Sequence, residues 1–105
     1  MTTETTQPAD LTQRIQARDG VAVVIYTKPN CQPCRMTKRK LDAAHIYYTE
    51  VDVTQDETAL AYVKEVLGYT GAPVVYVSTI DGDVHWYGLD IDRIREHITH
   101  RADAA

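Results

Sequence analysis

Both cysteines of the chain fall in one motif, Cys31-Gln32-Pro33-Cys34, directly after the β-prone run Val21–Thr27 and at the start of a stretch with helical spacing. That placement restricts the fold to one that carries a strand end into a helix start with two thiols at the junction. A bridge across so short a loop removes little unfolded-chain entropy, so a purely stabilising disulfide is a poor explanation for it. The pair is better suited to opening and closing, which makes thiol–disulfide exchange the leading chemistry.

The run Val-Ala-Val-Val-Ile-Tyr-Thr lacks polar alternation and fits a central strand covered on both faces. After it, Asn30 can cap a helix in which Cys34, Thr37, Leu41 and Ala44 recur at helical spacing and face the core, so Cys34 is predicted to be buried. Residues 46–53 read as a second strand. Thr54-Gln55-Asp56-Glu57 matches a capping box that opens a helix with Leu60, Val63, Val66 and Leu67 inward and Gly68 at its end. Residues 73–78 and 83–87 are strand-like and joined across Asp81-Gly82, a hairpin signal that makes them antiparallel. A last helix begins near Asp90. It carries Leu89, Ile91, Ile94 and Ile98 on one side and His97, His100 and Arg101 toward the end where cations suit the dipole. Upstream, residues 1–9 read as a disordered tail and residues 10–18 as a short helix with Leu11 and Ile15 four apart. The expected architecture is one α/β domain over residues 10–105. It has a four-stranded mixed sheet with the first and third strands central, helices on both faces, and an extra N-terminal helix.

With 44% apolar and 25% charged residues, the 105-residue chain has the make-up of an ordinary small globular domain that needs no disulfide scaffold. A net charge of −4 argues against a nucleic-acid-binding surface, which wants a basic face. No stretch approaches transmembrane length, and the Thr-rich start lacks the charged and apolar regions of a secretory signal. A cytoplasmic, reducing location is the default expectation, and there a cysteine pair is catalytic or metal-binding rather than structural. A closed zinc site needs two ligands beyond the cysteines, and His45, His85, His97 and His100 have no metal spacing, so neither a metal nor another cofactor is expected.

Cys31 is the expected nucleophile. A thiolate at a helix N-terminus is stabilised by unpaired backbone N–H groups and the positive dipole end, with Lys28 and Arg35 close in sequence. Cys34 is the expected resolving thiol. Pro33 supplies no N–H, which withdraws one donor from the thiolate. On that argument the potential is expected nearer the thioredoxin value of about −270 mV than the glutaredoxin range of roughly −200 to −230 mV.

Three segments occur in order: Tyr26-Thr27-Lys28-Pro29-Asn30-Cys31-Gln32-Pro33-Cys34, Gly68-Tyr69 with Ala72-Pro73-Val74-Val75, and His85-Trp86 with Gly88 and Asp92-Arg93-Ile94. Together they resemble the NrdH-type redoxins, which are glutaredoxin-like in sequence and thioredoxin-like in behaviour. The resemblance runs over residues 21–98. It implies a thioredoxin fold and a monomeric dithiol donor of electrons to the large subunit of class Ib ribonucleotide reductase. A flavin-dependent thioredoxin reductase drawing on NADPH would recharge it. The resemblance also implies a cis peptide at Ala72-Pro73 against the cysteines, where the sequence alone would give trans. The backbone before Pro73 would then pair with an extended segment of the partner. Lys28, Gln32, Pro33, Ala72 and Pro73 are thus expected to shape the site, and Arg35, Lys38, Arg39, Tyr69, Trp86, Tyr87 and Gly88 to meet the partner.

Departures from the pattern bear on substrate choice. Glutathione-using glutaredoxins carry a Gly-Gly pair where this chain has Tyr87-Gly88, and Tyr87 would intrude where a glycine leaves room. Asp90 and Asp92 nevertheless stay near the helix start. Typical NrdH-type members lack a proline between the cysteines and read Phe-Arg-Pro-Asp where this chain reads Leu89-Asp90-Ile91-Asp92, so the partner-facing surface differs. Plainer readings stand beside these. Arg35, Lys38, Arg39 and Lys40 also fit a solvated helix face, Trp86 a core aromatic on a hairpin strand, and Tyr26 and Tyr69 general packing in a chain with seven Tyr and no Phe. The alternatives are a glutathione-dependent glutaredoxin, a general protein-disulfide reductase, a metal or iron–sulfur protein, and a non-catalytic interaction module. The last is opposed by the presence together of both cysteines, Lys28 and Pro73.

Overall fold

The fold is taken from a computed structural model, which describes residues 21–99. The expected tail over residues 1–9, the helix over residues 10–18, His100 and Arg101 lie outside the described residues. Strand β1 (Val21–Thr27) leads into helix α1 (Gln32–Ala43), and β2 (Thr49–Asp52) leads into α2 (Glu57–Ala61), which widens into a π-helical segment Tyr62–Leu67. The hairpin β3 (Val74–Thr79) and β4 (Gly82–Tyr87) follows, and then α3 (Ile91–Ile94), which widens in turn over Arg95–Thr99.

The strand order is β2-β1-β3-β4, with β1 parallel to β2 and antiparallel to β3, so β1 and β3 are central as the apolar runs require. Period-two alternation divides the core between the two faces. Val23, Ile25, Val75 and Val77 meet Leu41 of α1 and Ile94 and Ile98 beyond β4, while Val24, Tyr26 and Val74 meet Ala59 and Val63 of the α2 segment. Thr27 ends β1 with the parity of Ile25, so its side chain emerges on the α1 face at the end of the sheet that carries the cysteines.

Several local expectations are corrected. Helix α2 is capped by Asp56, whose carboxylate accepts the Ala59 N–H at 2.9 Å, and not by a Thr54–Glu57 box. Thr54 instead binds the Asp52 carboxylate through its N–H (2.9 Å) and hydroxyl (2.6 Å), closing the turn after β2. Because the helix starts two residues later and then widens, its buried stripe passes through Ala59 and Val63, and Leu60 (38% exposed) and Val66 (68%) turn outward. Ala44 is the exposed C-cap of α1 rather than a core residue. Leu89 and Ile91 are exposed as well, leaving Ile94 and Ile98 to anchor the last helix. The second strand is the short Thr49–Asp52, and the hairpin turns at Ile80-Asp81, with Gly82 (φ +124°) already paired to Thr79. No helix of the described residues is long and apolar enough to cross a membrane.

Candidate functional site

Helix α1 begins on sulfur. Cys31 occupies the N-cap with extended backbone, its Sγ accepts the Cys34 N–H at 3.1 Å, and its carbonyl accepts the Arg35 N–H at 3.1 Å. The expected cap, Asn30, takes a left-handed conformation (φ +57°) that turns the chain out of β1, a geometry Asn tolerates better than most residues. Pro33 lies in the first turn, where a helix has no use for its missing N–H. The two sulfurs are joined in a disulfide, and Cys31 and Cys34 are 5% and 2% exposed. Cys34 is buried as predicted, and Cys31 is nearly so.

A groove opens beside the disulfide, lined by Lys28, Asn30 and Cys31 from the β1–α1 connection, by Cys34, Arg35 and Lys38 from α1, and by Glu50 and Asp52 from β2. One pair of its charges is joined directly. Glu50 Oε2 lies 2.9 Å from Lys38 Nζ and accepts the hydroxyl of buried Thr27 at 2.8 Å. Partial burial pushes the Glu50 carboxyl up, but the Lys38 and Thr27 hydrogen bonds and the Lys38 charge outweigh it, so the group titrates below the usual glutamate value; Asp52 opposes weakly. Arg35 is bonded to the Gln32 side-chain oxygen rather than to a carboxylate.

A second, mostly apolar groove meets the first at Lys28 and is lined by Val53, Leu60, Val63, Lys64, Tyr69, Gly71 and Ala72. The Ala72–Pro73 peptide is cis, as the resemblance implied, and the Pro73 carbonyl accepts the Gly88 N–H at 2.8 Å, tying this segment to the end of β4. The half-exposed Tyr87 ring lies directly on Gly71, where a Cβ would come within 2.5 Å of it, and stacks on Tyr69 with centroids 6.4 Å apart. Tyr69 is held in turn by a 2.9 Å hydrogen bond between its hydroxyl and His85 Nδ1.

The structure thus gathers Lys28, Cys31, Cys34, Arg35 and Lys38 in one groove and Tyr69, Ala72, Pro73, Tyr87 and Gly88 around the neighbouring one. Two expected partner contacts fall elsewhere. Trp86, 4% exposed, is packed in the core with Ile94 and Ile98, because its parity in β4 turns it away from Tyr87. Arg39 is exposed but lines neither groove. Tyr26 is a core residue whose hydroxyl is driven above the ordinary tyrosine range by burial, with Tyr62, Tyr76 and Asp56 adding to the effect. Glu50, Asp52 and Gly71 were not anticipated. The signal for Glu50 was available, since Ile46 and Tyr48 share its parity and pack on the core. A carboxylate continuing that row calls for a buried or paired partner. Among the described residues no cluster of His, Cys, Asp and Glu is suited to hold a metal ion.

Comparison with known proteins agrees with this geometry. Residues 23–84 match the sequence model of the glutaredoxin family. The chain is 46% identical over 77 residues to the Gene 56 protein of Mycobacterium phage L5, covering 73% of this chain and 75% of that protein. It is 32% identical over 53 residues to the glutaredoxin-like protein NrdH of Lactococcus lactis, covering 50% of this chain and 72% of that one. The solved structure of NrdH-redoxin from Escherichia coli, a glutaredoxin-like protein with a thioredoxin-like activity profile, superposes with a TM-score of 0.60 at 29% identity, over 71% of this chain and 92% of that one. The fold is therefore that of the thioredoxin superfamily, and the Cys31–Cys34 pair is that of a thiol redox protein.

Proposed function

The chain belongs to the glutaredoxin family, and from that premise we propose that it is a single-domain, monomeric, cytoplasmic dithiol carrier of the NrdH type. It reduces a disulfide on the large subunit of class Ib ribonucleotide reductase and is recharged by thioredoxin reductase at the expense of NADPH. The observation that carries the reading is the seat of Cys31. Its sulfur stands at a helix N-cap on a backbone N–H, beside Lys28 and Arg35, in an open groove. A thiolate is favoured in that position by the N–H donor, the dipole and the nearby cations.

In the forward direction the Cys31 thiolate attacks one sulfur of the target disulfide. A Cys31–target bond forms, and the second target sulfur leaves as a thiolate that takes a proton from water. Cys34 then gives up its thiol proton to solvent and attacks Cys31 Sγ. The Cys31–Cys34 bond forms, the first target sulfur leaves, and the target has gained two electrons that this protein has lost. Cys34, held in the first turn of α1 with its N–H on Cys31 Sγ, is positioned for the second step. Tyr87 over Gly71 supports a preference for protein disulfides over glutathione, because the ring occupies space beside the Ala72–Pro73 segment.

The test follows NADPH consumption by the oxidised protein with thioredoxin reductase, and separately with glutathione and glutathione reductase. Rapid turnover with the first system alone is expected. Efficient reduction by glutathione would instead move the protein to the glutathione-dependent glutaredoxins.

A further inference from the structure

Lys38 follows Cys34 by four residues on α1, so the two side chains are neighbours on one helix face, and a long helical side chain leans back toward the N-terminus. Left to itself, the Lys38 ammonium would approach the sulfurs. Both residues do line the disulfide groove, yet Nζ is committed to Glu50 Oε2 at 2.9 Å. That oxygen is itself fixed from the other side by the hydroxyl of Thr27, a residue only 2% exposed. Two of the groove's other charged side chains are held elsewhere: the Asp52 carboxylate holds Thr54, and Arg35 is bonded to Gln32.

We propose that Glu50 is a positioning residue for the redox reaction, drawing the Lys38 ammonium away from Cys31 and Cys34 and so keeping the pair reducing. The inference rests on the dithiol-carrier reading. Its physics is the differential charge of the two redox states. The disulfide is neutral, whereas the dithiol carries a thiolate, so any cation brought near the sulfurs stabilises the reduced form and weakens the protein as a reductant. Lys28, Arg35 and Lys38 stand in the groove against Glu50 and Asp52. Neutralising Glu50 adds one positive unit beside the sulfurs and frees the ammonium to move toward them. Neutralising Lys38 does the reverse. A plain tie between α1 and β2 has a different signature, since either change cuts the tie equally and neither acts on the sulfurs.

The experiment compares wild type, Glu50→Gln and Lys38→Met by thiolate ultraviolet absorbance against pH and by equilibration with a dithiothreitol redox buffer. For Glu50→Gln the thiol titration is expected to move down by roughly 0.3 to 0.7 pH unit, and the equilibrium to shift about two- to fivefold toward the reduced protein. For Lys38→Met both readouts are expected to move the opposite way. Two unchanged variants, or two that shift in the same direction, would overturn the proposal and leave the pair as a tie between helix and strand. Wild-type protein that failed to exchange reversibly with the dithiol buffer would instead bring down the carrier reading, and this proposal with it.

Discussion

The first turns of α1 and α2 are built alike and used differently. Each begins with an extended N-cap residue whose side chain accepts the N–H three positions on, at 3.1 Å to Cys31 Sγ in one and 2.9 Å to Asp56 Oδ1 in the other. Helix α3 repeats the second version, with Asp90 accepting the Arg93 N–H at 3.0 Å. The N-terminus of a helix favours an anion through its unpaired donors and its dipole. Two helices fill that seat permanently with a carboxylate. In α1 the seat holds a sulfur that is neutral in the disulfide and becomes anionic when the bond opens. The same local device that stops fraying elsewhere becomes, with a cysteine in it, a place where charge appears during the reaction.

The sharpest way to break this comparison is to make α1 like its neighbours. Ser is among the best N-cap residues and nearly the shape of Cys, so Cys31→Ser should keep the helix start while exchange with any target disulfide falls to background. Cys31→Ala should lose exchange equally and, in addition, about 1 kcal/mol of stability relative to the Ser variant. Thermal unfolding of both against reduced wild type reads the cap, and insulin-disulfide reduction reads the chemistry. If Ala and Ser variants melted together, the sulfur would not be acting as a cap.

The converse variants remove the purely structural seats. Asp56→Ala should cost about 1 kcal/mol, a fall in melting temperature of roughly 4–8 °C for a domain of this size, with disulfide exchange unchanged. Asp90→Ala, at a more exposed cap, should cost about 0.5 kcal/mol. Differential scanning calorimetry paired with the exchange assay tests both. A loss of exchange in Asp56→Ala matching that of a cysteine variant would show that the caps are not separable into structural and chemical kinds.

These caps also mark how far the sequence could be read. The strand ending at Thr27, the cysteine pair, the hairpin and the cis Ala72–Pro73 peptide were all legible, the first three from apolar runs and spacing and the last from family resemblance. What misled was the choice among neighbouring cap candidates. Asn30 and Thr54 are as good N-caps by type as any, and only the backbone decides that Asn30 is left-handed and that Thr54 turns back to Asp52. Once α2 starts at Glu57 and widens over Tyr62–Leu67, a strict 3.6-residue period no longer predicts its buried side, and Leu60 and Val66 move outward. Trp86 was placed on the partner surface by motif, although alternation along β4 puts it opposite Tyr87 and into the core. Glu50 was overlooked because a carboxylate on an edge strand looks like solvent-facing surface until its parity is followed.

Glu50 gives the smallest expected effect and sets a limit on the comparison, since it is an anion in the α1 groove that caps nothing. Its carboxyl titrates below the ordinary glutamate value in the folded protein, through the Lys38 and Thr27 hydrogen bonds and the Lys38 charge working against partial burial. A depressed folded value means that the unfolded chain takes up its proton first as pH falls. The stabilisation is therefore fully present above the unfolded value of about 4.3 and is lost as pH drops through the folded one. With both side chains partly solvated, the contribution should lie under about 1 kcal/mol. Urea unfolding of wild type and Glu50→Gln from pH 7 to pH 3 should show a small gap that holds through neutral pH and closes only in acid. A gap that widened in acid would mean that Glu50 binds its proton more tightly when folded, and that Lys38 is not its controlling neighbour.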